Sequence, residues 1–402
     1  MKKFTLFVAA IMASAAMFAE VTVEKLLQVT PASSVYDIAV SPDGKSLYAA
    51  KQTAAIEVYD AATLTLKGSL KDPAALPGYG SAVAVDDNGA VYTAYALIGG
   101  TSEVVVYKWA DETADATVFV NLGTASTYGI NGTYRGGYGF DVKIDKDGNG
   151  CLMYPAPVYK KEDGTFGEGA SVIYVPVVAN VPGTPQHVNL DKGKDAGGVY
   201  WGKYPDVTIV DATTFWYDGQ GATPYLCTIA IEEGVVSVAD TKSFPLMTEP
   251  AMSGGVNGIS EFTLSDTRYA VVATNNHGAV SEENGWMYKN LAMLAEIDVQ
   301  DKVTATWVAQ MPEGGLGKES NSAFSLKSAT YVNGNEAWVY VAAFKNDMAV
   351  LKVTAPAAEE PEIPTAVENT TATVKVQKLI RNGQVLIIRD GKTFNMMGQE
   401  IR

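Results

Sequence analysis

Along most of the chain, short apolar runs rich in β-branched and aromatic residues are broken by polar turn formers, Gly, Pro, Asp and Asn. This is the pattern of β-strands joined by tight turns. One phrase carries it most clearly: Asp37-Ile38-Ala39-Val40, the turn Ser41-Pro42-Asp43-Gly44-Lys45, then Ser46-Leu47-Tyr48-Ala49-Ala50 and Ile56-Glu57-Val58-Tyr59-Asp60. Pro-Asp-Gly supplies the fixed φ and the positive φ that such a turn requires. Weaker copies run over Ser81 to Tyr92, Asp141 to Met153, Asp206 to Tyr217, Glu261 to Val272 and Ser322 to Val341. Their turns start near 41, 86, 145, 211, 265 and 333, a spacing of 45 to 68 residues.

A unit of three or four antiparallel strands cannot bury both of its faces alone, so the copies must stack. The pattern predicts an all-β, six-bladed β-propeller over 20–354, with a seventh blade left open and a series of β-sandwiches as the competing fold. Val21 to Thr30 is a lone strand ahead of the first copy, placed to complete the last blade and join the ends of the ring. Residues 355–364, rich in Pro and Glu, read as a linker. Beyond them, 365–402 holds three short strand patterns separated by Asn382-Gly383 and Asp390-Gly391, strong hairpin signals that predict a small C-terminal β-hairpin module.

Composition narrows the function. The chain has 402 residues, 30 Lys plus Arg against 45 Asp plus Glu, and a net charge of −15. Such a balance argues against nucleic acid or an anionic membrane surface as a partner, because both need clustered cations. Met1-Lys2-Lys3 followed by the apolar run Phe4 to Ala19 has the form of a secretory signal peptide, 1–19, cleaved after Ala19. An uncleaved anchor is the alternative. Export to an oxidising compartment would permit a disulfide. Cys151 and Cys227 each lie in a strand pattern of a different copy, so a bridge and two buried thiols both stay open.

The phrase Ile38 to Tyr48 resembles the repeat of bacterial YVTN-type and lactonase-like propellers. The tail is similar to the C-terminal sorting segments of proteins that Bacteroidetes export by type IX secretion. Arg381-Asn382-Gly383-Gln384, Val385 to Ile388 and Thr393 to Arg402 carry that likeness. It implies export machinery as a partner, passage across the outer membrane, and release or surface anchoring.

Several constellations could carry chemistry. Aligned on their first strands, the copies place Asp37, Asp141, Asp206 and Glu261 at the strand entrance, with Ser81 and Asn321 or Ser322 near that place in the other two. Carboxylates converging on a channel repel, and a calcium ion would relieve that cost. Alternatively, each binds the backbone of the neighbouring blade. Val256-Asn257-Gly258-Ile259 and Tyr204-Pro205-Asp206 resemble, in reverse order, the phrases that supply metal ligands in calcium-dependent propeller lactonases, which adds Asn257 to the candidate metal set. Asp145 to Gly150 offers oxygens like a calcium loop, but position twelve is Ala156, so a hairpin turn is the simpler reading.

Loop aromatics suggest a binding face for a small molecule, glycan or peptide, built from Tyr134, Arg135, Tyr138, Trp201 and Tyr204, with His277 in the turn Asn275-Asn276-His277-Gly278. Rim packing is the competing use of those rings. The sequence therefore predicts an exported or cell-surface binding or scaffold protein. A calcium-dependent, lactonase-like hydrolase and a structural surface-layer or adhesin component are the alternatives.

Overall fold

The structure is a computed structural model that describes residues 21–51, 56–73, 79–99, 102–128, 133–160, 170–190, 203–220, 223–245, 255–274, 290, 292–317, 326–355, 376–381, 384–389, 392–395 and 399–401. The signal segment 1–19 lies outside them. The chain divides into two compact units, 1–356 and 357–402. Among the described residues there is no α-helix; a single 3-10 turn, Ala125–Tyr128, interrupts the strands.

The first compact unit is all-β and built from antiparallel strands in a repeating arrangement. Repeat one comprises Asp37–Val40, Ser46–Ala50, Glu57–Asp60 and Leu66–Ser69. Repeat two comprises Tyr79–Val85, Val91–Gly99, Val104–Trp109 and Thr117–Gly123. Repeat three has Asp141–Ile144, Gly150–Pro155 and Ser171–Val178, with Val181–Pro182 and Gln186–Asn189 sharing its outer edge. Repeat four has Lys203–Ile209, Thr214–Gln220, Tyr225–Glu232 and Val235–Ser243, and repeat five Gly255–Leu264, Thr267–Thr274, Ala292–Val299 and Val303–Met311. These two share one sheet through Gly219↔Val256 and Gln220↔Gly255. Repeat six has Leu326–Asn333, Glu336–Ala343 and Met348–Thr354, and its outer strand is Thr22–Val29 from the start of the chain, in register from Thr22↔Thr354 to Val29↔Met348.

Strand periodicity explains why the repeats pack face to face. Successive side chains of a strand point to opposite faces. In Ser46–Ala50, Leu47 and Ala49 join a core with Tyr340 and Val350 of repeat six, while Tyr48 and Ala50 join another with Val83 and Val91 of repeat two. Further cores link repeats two and three, three and four, four and five, and five and six. Each repeat thus buries both faces between its neighbours. The outer strands meet water: Leu66–Ser69 is exposed throughout, and its lysine discourages edge-to-edge pairing.

The second compact unit pairs Val376–Arg381 with Gln384–Arg389, then Lys392–Phe394, then Glu400–Ile401, all antiparallel. Cys151 and Cys227 are both buried in the core between repeats three and four, with no disulfide joining them.

Candidate functional site

The first strand of every repeat borders one central cavity of about 160 Å³, where Asp37, Asp141, Asp206 and Lys327 contribute side chains. The three carboxylates begin from one plan. Asp37 accepts the N–H of its own successor Ile38 at 3.0 Å and, through its other oxygen, the N–H of Val83 in repeat two at 2.9 Å. Asp141 accepts Val142 N–H at 2.8 Å and Ile209 N–H of repeat four at 2.7 Å. Asp206 accepts Val207 N–H at 2.8 Å, but its second oxygen takes the Lys327 ammonium of repeat six. Hydroxyls continue the ties: Thr208 Oγ1 donates to Ile259 O at 2.6 Å, and the Ser260 and Ser328 hydroxyls lie 2.8 Å apart.

Behind Asp206 stands a fourth acid. Asp218 lies directly opposite it in the register, so the two side chains share a face. Asp218 is 1% exposed and neither of its oxygens completes a hydrogen bond, although Ile259 N–H approaches closely enough to favour the charged form. Gly139 makes the cluster possible: a Cβ there would stand 1.6 Å from Asp206 Oδ1.

Burial dominates the electrostatics. It pushes the Asp37 carboxyl up to about 8, with Asp206 adding to the rise and Lys327 and the two amides opposing it. Asp141 is raised to about 7 by burial, against the amides of Ile209 and Val142. Asp218 is held well above the usual carboxylate range by burial and then by Asp206. Burial opposes the charge on Lys327, but Asp206, Asp37 and Asp218 outweigh it and raise its pKa. The ammonium is the counter-charge of the cluster.

At the entrance end of the same strands, Tyr138 and Tyr204 meet edge to face with centroids 4.7 Å apart, and Tyr36 and Phe344 do so at 4.8 Å. Tyr204 adopts φ of 55°, a region that bulky side chains rarely occupy and that recurs where a site over-determines its backbone.

Of the sequence-predicted metal set, Asp37, Asp141 and Asp206 come together at the cavity. Glu261 does not, which corrects its assignment. It lies three residues farther along a ten-residue strand, where Trp216 Nε1 donates to it at 2.9 Å and Arg268 binds it at 2.7 Å. Gly258 takes the cavity position in repeat five. The Asn257 side chain lies outside the described residues, as do those of Tyr134 and Arg135, whose backbones belong to Thr133–Gly136. Trp201 and His277 fall outside them altogether. Among the described residues, no group of three His, Cys, Asp or Glu side chains is arranged to hold a metal ion. Asp145 to Gly150 is a hairpin turn, its Asp145 carboxylate accepting the N–H of Asp147 at 2.9 Å and of Asn149 at 2.8 Å.

Comparison with known proteins speaks to the fold. The chain is similar in fold to a DUF4623 family protein from Bacteroides eggerthii. That crystal structure aligns with a TM-score of 0.56 at 14% identity, covering 85% of this chain and 76% of the other. No family model and no curated protein matches the sequence.

Sequence reasoning missed Lys327 and Asp218. Lys327 has the wrong sign for an alignment that looks for acids. Asp218 was hidden because Asp218-Gly219, following the aromatic run Phe215 to Tyr217, reads as a turn, whereas the strand Thr214–Gln220 continues through it.

Proposed function

We propose that this chain is an exported six-bladed β-propeller that acts as a binding or scaffold protein at the cell surface or outside the cell. The cyclic order of the six cores, which returns from repeat six to repeat one, supports the blade count. Export is inferred from the apolar run after Lys3 and from the sorting-like tail.

One observation favours binding over metal-assisted hydrolysis: the cavity carboxylates already have partners. Asp37 and Asp141 each hold the backbone of an adjacent repeat, and Asp206 holds Lys327. A metal ion bound there would have to displace the Lys327 ammonium that already neutralises Asp206. With the cavity acting as a brace, ligand contact moves to the ends of the strands.

The test combines thermal unfolding with and without calcium, a lactone hydrolysis assay, and a screen of glycans, peptides and small molecules on the full chain. Binding is the expected result, with a midpoint that calcium leaves unchanged. Lactone turnover that requires calcium and disappears in Asp206→Ala would contradict it.

A further inference from the structure

A second cavity lies at the other end of the strands, beyond the turns that follow Val40, Val85 and Ile144, and is a groove of about 1100 Å³. Its wall includes an assembly that the cavity chemistry does not use. Ser46 Oγ and Tyr48 OH both donate to Glu112 Oε1, the latter at 3.2 Å, while Lys67 Nζ donates to Ser46 Oγ at 2.9 Å and to Glu112 Oε2 at 3.3 Å. Ser46 and Tyr48 are each 3% exposed, whereas the Lys67 and Glu112 side chains are 41% and 34% exposed.

Two buried hydroxyls are therefore committed to fixing the direction of one half-exposed carboxylate. An ordinary surface ion pair contributes little and needs no such support, whereas a binding group held by locked neighbours is what a recognition site requires. Burial would raise the Glu112 pKa, but the bonds from Ser46 and Lys67 prevail and lower it, keeping the carboxylate charged.

The spare valences define the ligand. An ammonium has three donors, and Lys67 spends two, leaving one toward the groove. Glu112 Oε2 accepts from Lys67 and keeps room for a second donor. A donor and an acceptor 3.3 Å apart match a hydroxyl, which accepts from one and donates to the other. The groove is net acidic, with Asp43, Asp87, Asp111, Asp145 and Asp147 beside Glu112 and only Lys45 and Lys146 beside Lys67, so it repels a polyanion, and a free cation would have to compete with Lys67 for Glu112. Peptides usually anchor through apolar side chains, and the apolar lining here is limited to Pro42 and the buried Tyr48.

We propose that this groove binds a neutral, polyhydroxylated ligand, a carbohydrate, with Lys67 and Glu112 as its paired donor and acceptor and Ser46 and Tyr48 as positioning residues. The proposal deepens the binding-protein reading and rests on it.

The experiment is a printed array of neutral gluco-, manno-, xylo- and galacto-hexaoses, with tetralysine and a heparin hexasaccharide alongside, followed by calorimetry on the full chain. At least one neutral hexaose should bind. Lys67→Met and Glu112→Gln should each weaken it tenfold or more, Tyr48→Phe severalfold, and Lys242→Met, on the outer strand of repeat four, not at all. Thermal midpoints identify any variant that has lost its fold, and Tyr48→Phe keeps the buried ring in place. Absence of binding to every neutral hexaose overturns the proposal, as does preference for tetralysine or heparin. Hexaose binding that survives Glu112→Gln but is lost in Tyr204→Ala overturns the groove site while leaving a binding function intact.

Discussion

Lys327 and Asp206 stand 121 residues apart in the sequence and form an ion pair at the central cavity, their side chains 7% and 10% exposed. Breaking a buried pair by removing one partner strands a charge and costs about 3–5 kcal/mol, whereas removing both can cost far less. Lys327→Met is expected to be more destabilising than Lys327→Met combined with Asp206→Asn. Denaturant unfolding of the two single variants and the double variant measures the coupling.

Gly139→Ala tests the same pair from the backbone side. The new Cβ would overlap Asp206 Oδ1 and stand 2.2 Å from its Cγ, so the carboxylate must leave Lys327 or the chain must shift. Overpacking of this kind costs about 1–3 kcal/mol. The loss should shrink when Gly139→Ala is made in an Asp206→Ala background, which removes the obstructing atoms. An equal loss in both backgrounds would place the strain elsewhere.

The cluster also sets a pH dependence. The Asp37 carboxyl lies at about 8 in the folded chain, against about 3.9 unfolded. Between those values the folded state holds a proton that the unfolded state has released, so stability falls as pH rises. Its contribution is complete below about pH 4 and is lost as pH rises to about 8. Asp141, at about 7, acts in the same direction over a narrower window. Asp37→Asn should flatten the fall in unfolding free energy between pH 5 and 8, roughly the interval these pKa values span.

The sheet of repeat six is completed by the chain start. Gln28 Nε2 and Thr30 Oγ1 both donate to Asp347, at 2.8 and 2.6 Å, beside the pairing of Thr22–Val29 with Met348–Thr354. Asp347→Ala should cost about 1–3 kcal/mol. Hydrogen exchange should rise first in Thr22–Val29, and uniform exchange across all repeats would contradict this.

These residues show what the sequence made legible. The hairpins were readable because Pro-Asp-Gly and Asp-Gly turns interrupt runs of β-branched and aromatic residues, and Asp37, Asp141 and Asp206 were found because each opens or lies within a strand just after a loop. Glu261 was misplaced because Gly255–Leu264 begins earlier than its turn suggests, and a glycine at the cavity position leaves no side-chain signal. Lys327 depends on a pairing across 121 residues, which no local pattern encodes.

The central claim is a six-bladed ring whose cavity charge is balanced by Lys327. A crystal structure of the chain grown in millimolar calcium tests it most directly. The account expects six stacked repeats around one cavity, with the Lys327 ammonium on Asp206. A different blade count, or calcium bound among Asp37, Asp141 and Asp206 with Lys327 displaced, would contradict it.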